Sequence, residues 1–201
     1  MFNVMTLLNT AVSVLVALVL HELAHAYVSY KLGDPTPKAQ GRLTLNPAAH
    51  LDLFGTICLF FFGFGWAKPV SINYNYYKNV KQGTTLVSLA GPFMNFIIAI
   101  IAGICLRIVI PTGHVGFINF FNTLMSINVG LGVFNLIPFP PLDGSKVVAA
   151  VLPNHLYDKW MMIEQYGMFI LMALLFTGIL DPFLSGLMRF VYSVVYMMVG
   201  L

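Results

Sequence analysis

Long apolar runs separated by short polar segments dominate the hydrophobicity pattern of the chain. A helix needs roughly 20 apolar residues to cross the hydrocarbon core of a bilayer, and several runs reach that length. The pattern predicts five transmembrane helices, at about residues 5–30, 84–110, 115–137, 161–180 and 183–201. Turn-forming residues such as the prolines of residues 138–141 separate them. The chain is therefore expected to be an all-α polytopic membrane protein.

Two shorter stretches do not fit this scheme. Residues 51–66 are apolar but short, and Gly55, Gly63 and Gly65 interrupt them, so we expect a re-entrant element. Residues 68–72 read Lys-Pro-Val-Ser-Ile, which has the character of a strand. A full crossing by residues 51–66 would change the topology.

Composition supports a membrane protein and excludes several other classes. The chain has 201 residues, is 59% hydrophobic and has a mean hydropathy of +0.85, with 8% charged residues. A soluble domain carries about a quarter charged residues, and one of this size could not bury so much apolar surface. The scattered net charge of +3 gives no footprint for nucleic acid. Cys58 and Cys105 lie in apolar segments, so no disulfide framework is expected.

The distribution of basic residues predicts the orientation in the membrane. Two loops carry most of them, and they fall on one side if residues 51–66 are re-entrant. The basic residues of the first loop are Lys31, Lys38, Arg42, Lys68, Lys78 and Lys81, and those of the second loop are Lys146 and Lys159. Because basic loops remain inside the cell, we expect a multi-pass protein of the cell membrane with these loops in the cytoplasm.

The motif HELAH near the end of the first predicted helix indicates a metal site. His21 and His25 are four residues apart, so one turn of helix brings both imidazoles to one metal ion. Glu22 lies beside them and can take a proton from the attacking water. Two imidazoles with an oxygen ligand suit zinc. A chance spacing is the alternative, but each ionisable residue in a span costs on the order of 2.5–3.5 kcal/mol, which favours a site with a cation.

A third ligand has to come from another part of the chain. Asp143 is the best candidate, because it follows the proline-rich segment 135–142, whose backbone is tolerated at membrane depth where it lines a cavity. Spacing alone does not choose between it and the other candidates. These are Asp34, Asp52, His50 and Glu164.

The HExxH motif followed by the NxxPxPxxDG motif of residues 135–144 resembles the site-2 protease family of intramembrane zinc metalloproteases. The segments GRLTLNP at 41–47 and GWAKPV at 65–70 resemble its short prokaryotic branch without PDZ or CBS domains. The resemblance covers most of residues 14–152. It implies that His21, His25 and Asp143 bind zinc, that Glu22 is the general base, and that Asn135 binds the substrate backbone or the developing oxyanion.

The resemblance also bears on three structural features. In the segment AGPFMN at 90–95, Gly91 is expected to serve helix packing, and Asn95 either binds substrate in the active site or bonds a neighbouring helix. Residues 68–72 would belong to a small membrane-associated β-hairpin or sheet, whose edge could pair with an unwound substrate. A single membrane-embedded metalloprotease domain would fill residues 1–201, with its catalytic core at about 5–152.

The predicted function is hydrolysis of peptide bonds in or near transmembrane segments of single-span membrane-protein substrates. Zn²⁺ is the expected cofactor, the lipid bilayer the surrounding medium, and the active site is expected to face the cytoplasm. A membrane metal transporter and a catalytically inactive scaffold are the alternatives. A transporter would carry ionisable residues deeper in several spans. The sequence leaves open the substrate, its cleavage site and the oligomeric state.

Overall fold

The computed structural model describes residues 4–52, 54–55 and 67–201, and these residues are mainly helical. Within them the α-helices are α1 (Val4–Lys31), α2 (Thr36–Ala39), α3 (Val80–Val109), α4 (Val115–Asn135), α5 (Asp143–Val151), α6 (Asn154–Phe176) and α7 (Asp181–Val199). Short 3₁₀ turns cover Pro47–Ala49, Tyr74–Tyr76 and Ile110–Thr112. A mainly α-helical fold is thus confirmed for the described residues.

Four helices of the described chain are long and apolar enough to cross a membrane. They are α1, α3 with its 3₁₀ extension to Thr112, α4 and α7. The predicted span at 161–180 falls largely on α6, whose apolar part, Gln165–Phe176, is shorter than the other four. The fifth transmembrane helix therefore stays a prediction.

The small sheet also stays a prediction. The described residues contain no strand, and one isolated antiparallel bridge joins Leu51 to Ala67. Residues 68–72 lie outside any regular element. Most of the predicted re-entrant element, namely residue 53 and residues 56–66, lies outside the described chain.

Helices α1 and α3 pack through two stripes made mostly of small or polar residues. Every fourth residue of α1 from Ser13 to Ser29 is buried, as is every fourth residue of α3 from Gly83 to Gly103. Positions four apart share one face of a helix, and small side chains let two helix backbones approach closely. The stripe on α1 is Ser13, Ala17, His21, His25 and Ser29; that on α3 is Gly83, Val87, Gly91, Asn95, Ala99 and Gly103.

An apolar core joins α3 to α4 and α7. Its buried side chains are Ile98, Ala99, Ala102 and Leu106 of α3, Leu124, Met125, Val129 and Val133 of α4, and Val195 of α7. Large apolar side chains on the outer faces of these helices remain uncovered, for example Ile108, Phe117 and Met197. Apolar surface of this extent is expected to face lipid rather than water.

A buried carboxylate fixes the loop that follows α1. Asp34 is fully buried and accepts hydrogen bonds from Ser29 Oγ at 2.8 Å and from the backbone N–H groups of Thr36 and Asn73, each at 2.9 Å. Burial opposes its charge, but these hydrogen bonds outweigh it and hold the pKa of Asp34 below its usual value. The network ties the end of α1 to the segment before α3.

Arg42 makes a second connection between loops. Its buried guanidinium donates to the carbonyl oxygens of Ala49, Lys68 and Pro69, the last two at 3.2 Å. The backbone N–H of Lys68 donates to the carbonyl oxygen of His50 at 2.8 Å. Residues 42–50 therefore hold the start of the segment 67–70 in place.

We predict that Asp34→Asn destabilises the protein by about 1–3 kcal/mol at neutral pH, because an amide cannot accept all three hydrogen bonds and leaves a buried donor unpaired. The pKa of Asp34 is lower in the folded than in the unfolded chain. Its contribution is therefore present above the usual pKa of about 3.9 and is lost as the pH falls through the folded-state value. Thermal unfolding in detergent between pH 3 and pH 7 measures both effects.

The matched control is Asp181→Asn, at an exposed aspartate in the first turn of α7. We expect a smaller effect there, under about 1 kcal/mol, because only an interaction with the helix terminus is changed. Equal unfolding temperatures for Asp34→Asn and the wild type at pH 7 would contradict the role of the buried network.

Candidate metal centre

Three ligand-type atoms converge where α1 meets α5. The Nε2 atoms of His21 and His25 are 3.0 Å apart, and Oδ2 of Asp143 is 3.1 Å from the first and 3.2 Å from the second. Both imidazoles are buried, and the carboxylate is partly buried. Among the described residues, these three form the group of His, Cys, Asp or Glu side chains whose ligand atoms lie close enough together to hold one metal ion.

The arrangement fits a tetrahedral zinc ion. Zinc–ligand bonds of about 2.0–2.1 Å at tetrahedral angles place neighbouring ligand atoms about 3.3 Å apart, close to the spacing found here. Oδ2 of Asp143 is buried without a hydrogen-bond partner outside this trio. Three electron-pair donors at such short distances are stabilised by a cation between them. Two imidazoles and one carboxylate leave the fourth position open for water or substrate.

Hydrogen bonds on the far side of each ring orient the two imidazoles. Nδ1–H of His25 donates to the Val87 carbonyl oxygen, and Nδ1–H of His21 donates to Oδ1 of Asn95, both at 2.6 Å. Since a carbonyl oxygen only accepts, Nδ1 of His25 carries the proton and Nε2 presents its lone pair to the metal position. Such outer contacts fix the tautomer of metal-binding histidines and raise their basicity.

The amide of Asn95 is itself held by neighbouring helices. Its Nδ2 donates to Oδ1 of Asn128 at 2.9 Å and to the Ala17 carbonyl oxygen at 3.3 Å. Nδ2 of Asn128 in turn donates to the Leu124 carbonyl oxygen at 2.8 Å. Both asparagines are fully buried. The sequence suggested either substrate binding or a bond to a neighbouring helix for Asn95. The structure shows hydrogen bonds to neighbouring helices, and the amide contacts Nδ1 of His21, on the side of the ring away from the metal position.

Two glycines make room for the three ligands. A Cβ atom on Gly91 would lie 2.6 Å from Nε2 of His21, so α3 can back the metal position only without a side chain there. A Cβ atom on Gly144 would lie 2.5 Å from the Ile137 carbonyl oxygen, so α5 can start directly beside the preceding turn. The role of Gly91 next to the imidazoles goes beyond the packing role predicted from the sequence.

A cavity of about 340 Å³ opens beside the three ligands. His21, Glu22, Asn135 and Asp143 line it together with Ala67 and Pro69 of the segment 67–70. The remaining lining is apolar: Leu18, Leu131, Phe134, Pro141, Leu142, Met168 and Leu171. The site residues from three separate parts of the sequence thus face one space.

Glu22 and Asn135 each make one hydrogen bond at this cavity. Oε2 of Glu22 accepts from the backbone N–H of Val70 at 3.2 Å, and Nδ2 of Asn135 donates to the Leu131 carbonyl oxygen at 3.1 Å. A carboxylate and an amide beside a metal position are the groups that peptide hydrolysis requires, a base and a polar contact for the peptide.

The other candidates for the third ligand lie elsewhere. Asp34 belongs to the network after α1, Nε2 of His50 lies 2.9 Å from the Thr44 carbonyl oxygen, and Oδ1 of Asp52 accepts from the Gly55 N–H. Glu164 is on α6, and its side chain is outside the described part of the structure.

We predict that Asn95→Leu weakens zinc binding by about 10–100-fold, because His21 loses the acceptor that orients its ring. Affinity is measured by competition with a chromophoric chelator. Asn95→Asp keeps an acceptor oxygen and should retain most of the affinity. Asn119→Leu, at an exposed asparagine of α4, is the control and should bind zinc normally. Unchanged affinity in Asn95→Leu would contradict this role.

We predict that Gly91→Ala lowers the zinc content of the purified protein at least tenfold, because the added methyl group displaces the imidazoles of His25 and His21. Metal content is measured by mass spectrometry. Gly186→Ala in α7, where a Cβ atom meets no atom within 4 Å, is the matched control and should keep its zinc. A Gly91→Ala protein with its full zinc content would show that α3 does not restrict the space for the two imidazoles.

Comparison with known proteins identifies the family of the chain. The model of Peptidase family M50 matches residues 106–177, a range that contains both Asn135 and Asp143. No solved protein structure matches the chain at a significant level.

Related proteins carry consistent names. "Putative zinc metalloprotease YwhC" of Bacillus subtilis (strain 168) is 41% identical over 173 residues, which cover 83% of this chain and 79% of that protein. "Putative zinc metalloprotease Rip2" of Mycolicibacterium smegmatis is 28% identical over 83% of this chain and 66% of its own. "Zinc metalloprotease MJ0392" of Methanocaldococcus jannaschii is 32% identical over 68% of this chain but only 32% of its own length. The chain therefore belongs to peptidase family M50, the site-2 protease family of zinc-dependent membrane metalloproteases.

Proposed function

We propose that this chain is an active intramembrane endopeptidase that cuts other membrane proteins in or near their transmembrane segments, as in regulated intramembrane proteolysis. The observation that carries the proposal is the position of Glu22. It faces the same cavity as His21 and Asp143, at a site built on a helix of membrane-spanning length. A metal-binding scaffold would need the ligands but not a carboxylate beside them.

The chemistry divides between the metal and the side chains. Zinc held by His21, His25 and Asp143 supplies Lewis-acid activation of the peptide carbonyl group and of water. Glu22 takes a proton from the attacking water and later gives it to the leaving amine, which is the task of a general acid–base residue. Its hydrogen bond to the Val70 N–H holds the carboxylate at the cavity wall.

Asn135 is proposed to contact the substrate. It lies on α4 and lines the same cavity as the segment 67–70. From there it can hold the substrate backbone or stabilise the oxyanion that develops on the peptide carbonyl. One such amide donor is worth roughly 2.7–4 kcal/mol of transition-state stabilisation in other proteases.

A single-span substrate has to unwind before it is cut, because a helix keeps its carbonyl groups in hydrogen bonds. The segment 67–70 forms one wall beside the unwound chain, since Ala67 and Pro69 line the cavity and the segment belongs to no helix. The N–H groups of Lys68 and Val70 and the carbonyl oxygens of Lys68 and Pro69 are already bonded within the chain, so this wall contacts the substrate through side chains.

The active site is proposed to lie toward the cytoplasm. His21 and His25 occupy the half of α1 that ends at Lys31, and the loop beyond it carries Lys38 and Arg42. Basic loops of membrane proteins are retained on the cytoplasmic side. Water would reach the site from that end of the helices.

We predict that Glu22→Gln keeps about one zinc ion per chain and loses cleavage by about 10²–10⁴-fold, because the ligands remain and the base is removed. Asp143→Ala should lose both zinc and cleavage. The assay uses the purified full chain in proteoliposomes with a single-span substrate, and mass spectrometry for metal content and for products.

Glu164→Gln, which changes the other glutamate of the chain, is the matched control and should keep both properties. Cleavage at the wild-type rate by Glu22→Gln would refute the proposed base. Zinc-loaded wild type that cuts no membrane substrate would favour the scaffold, and zinc uptake into the vesicles would favour a transporter.

A further inference from the structure

A second depression lies between α1 and α3, apart from the active-site cavity. This α1–α3 groove has a volume of about 580 Å³, and most of its walls are apolar, including Leu23, Val28, Phe93, Met94 and Ile97. None of its lining residues lines the active-site cavity. Phe93 is 58% exposed and Ile97 50% exposed, so the groove is open along the side of the helix pair. An occupant can therefore enter from the lipid phase.

One end of the groove is cationic and aromatic. Lys31, the last residue of α1, lines it, and its Nζ lies 5.4 Å from the centre of the Tyr27 ring. Nζ of Lys38 lies 5.5 Å from the centre of the Tyr30 ring and 3.5 Å from the Tyr30 hydroxyl group. Ring faces at these distances attract ammonium groups and keep both charges at this end.

These charges are available to an anion. No carboxylate of the described chain lies within ion-pair distance of Lys31 or Lys38, since the ion pairs found there join the two histidines to Asp143. Asp34, the nearest acidic residue in the sequence, is buried with three donors of its own. The groove thus joins an apolar trough at membrane depth to two cations at the end of the helix.

We propose that the α1–α3 groove is a binding site for one phospholipid with an anionic headgroup. An acyl chain lies along Val28, Met94 and Ile97, and the phosphate group lies between Lys31 and Lys38. From Leu23 to Lys31 the helix rises by about 12 Å, so several carbon–carbon bonds of the chain are covered. Tyr27 and Tyr30 take the position that aromatic side chains favour at the membrane interface.

A lipid fits this groove better than a substrate helix. The groove combines a long apolar wall with a concentrated positive charge at one end, which is the pattern complementary to an anionic lipid. It also shares no lining residue with the active-site cavity, so a peptide bound there would not lie against Glu22 or Asp143. The proposal does not depend on catalysis and is testable on Glu22→Gln protein.

The first test measures lipid binding to the full chain in nanodiscs or detergent by native mass spectrometry. Phosphatidylglycerol should bind with one molecule per chain, and phosphatidylcholine at least tenfold more weakly. The double variant Lys31→Gln/Lys38→Gln should weaken phosphatidylglycerol binding by about 30-fold, as expected for two lysines near an anionic headgroup. Lys78→Gln/Lys159→Gln removes two exposed charges outside the groove and should change it less than twofold.

The second test locates the acyl chain. Phosphatidylglycerol with a photoreactive diazirine in its chain should label Val28, Phe93 or Ile97, and Ile97→Trp should reduce the labelling at least fivefold by filling the groove. Soluble glycerol phosphate should not compete. Competition by glycerol phosphate would mean a headgroup site without the groove, and labelling suppressed by a substrate helix would mean a peptide site. Either result would overturn the proposal. So would phosphatidylcholine that binds as tightly as phosphatidylglycerol, or a Lys78→Gln/Lys159→Gln control that loses as much phosphatidylglycerol binding as Lys31→Gln/Lys38→Gln.

Discussion

The close approach of Nε2 of His21, Nε2 of His25 and Oδ2 of Asp143 is the constraint on which the rest of the structure depends. Three electron-pair donors within 3.2 Å of one another, inside an apolar helix bundle, repel unless a cation lies between them. Metal binding and folding are therefore coupled at this point. The helices have to bring the donors together and also satisfy every polar group behind them, because lipid offers no hydrogen bonds.

Helix α3 provides most of that support from a single face. Val87, Gly91 and Asn95 are four residues apart, and so are His21 and His25 on α1, so the two stripes meet residue by residue. One carbonyl oxygen and one amide oxygen of α3 orient the two rings, and the glycine between them leaves space for both. A side chain at Gly91 would move a ligand, so packing and metal binding have the same sequence requirement at this position.

The sequence allowed much of this arrangement to be predicted, but not all of it. The spacing within HELAH predicts two ligands and a base, because a helix turn relates them directly. Asp143 is remote in the chain, and only the resemblance to a family singled it out from Asp34 and the other candidates. The small residues Gly83, Gly91, Ala99 and Gly103 recur on one face of α3, and this pattern allowed a packing role for Gly91 to be predicted. The hydrogen bond between His21 and Asn95 could not be predicted from the sequence, because it depends on how α1 and α3 are aligned. The span count stays open for a similar reason, since the apolar part of α6 is short.

The polar loops complete the site by fixing a wall that the helices do not supply. Arg42 holds the carbonyl oxygens of Lys68 and Pro69, which places Pro69 at the cavity and the Val70 N–H at Glu22. The Asp34 network anchors the continuation of the same segment at Asn73. Buried, charge-assisted hydrogen bonds of this kind are strong and directional, so they suit a segment without regular secondary structure. The position of Glu22 is thus set from two directions, by α1 within the bundle and by a loop that the buried charges of Asp34 and Arg42 hold in place.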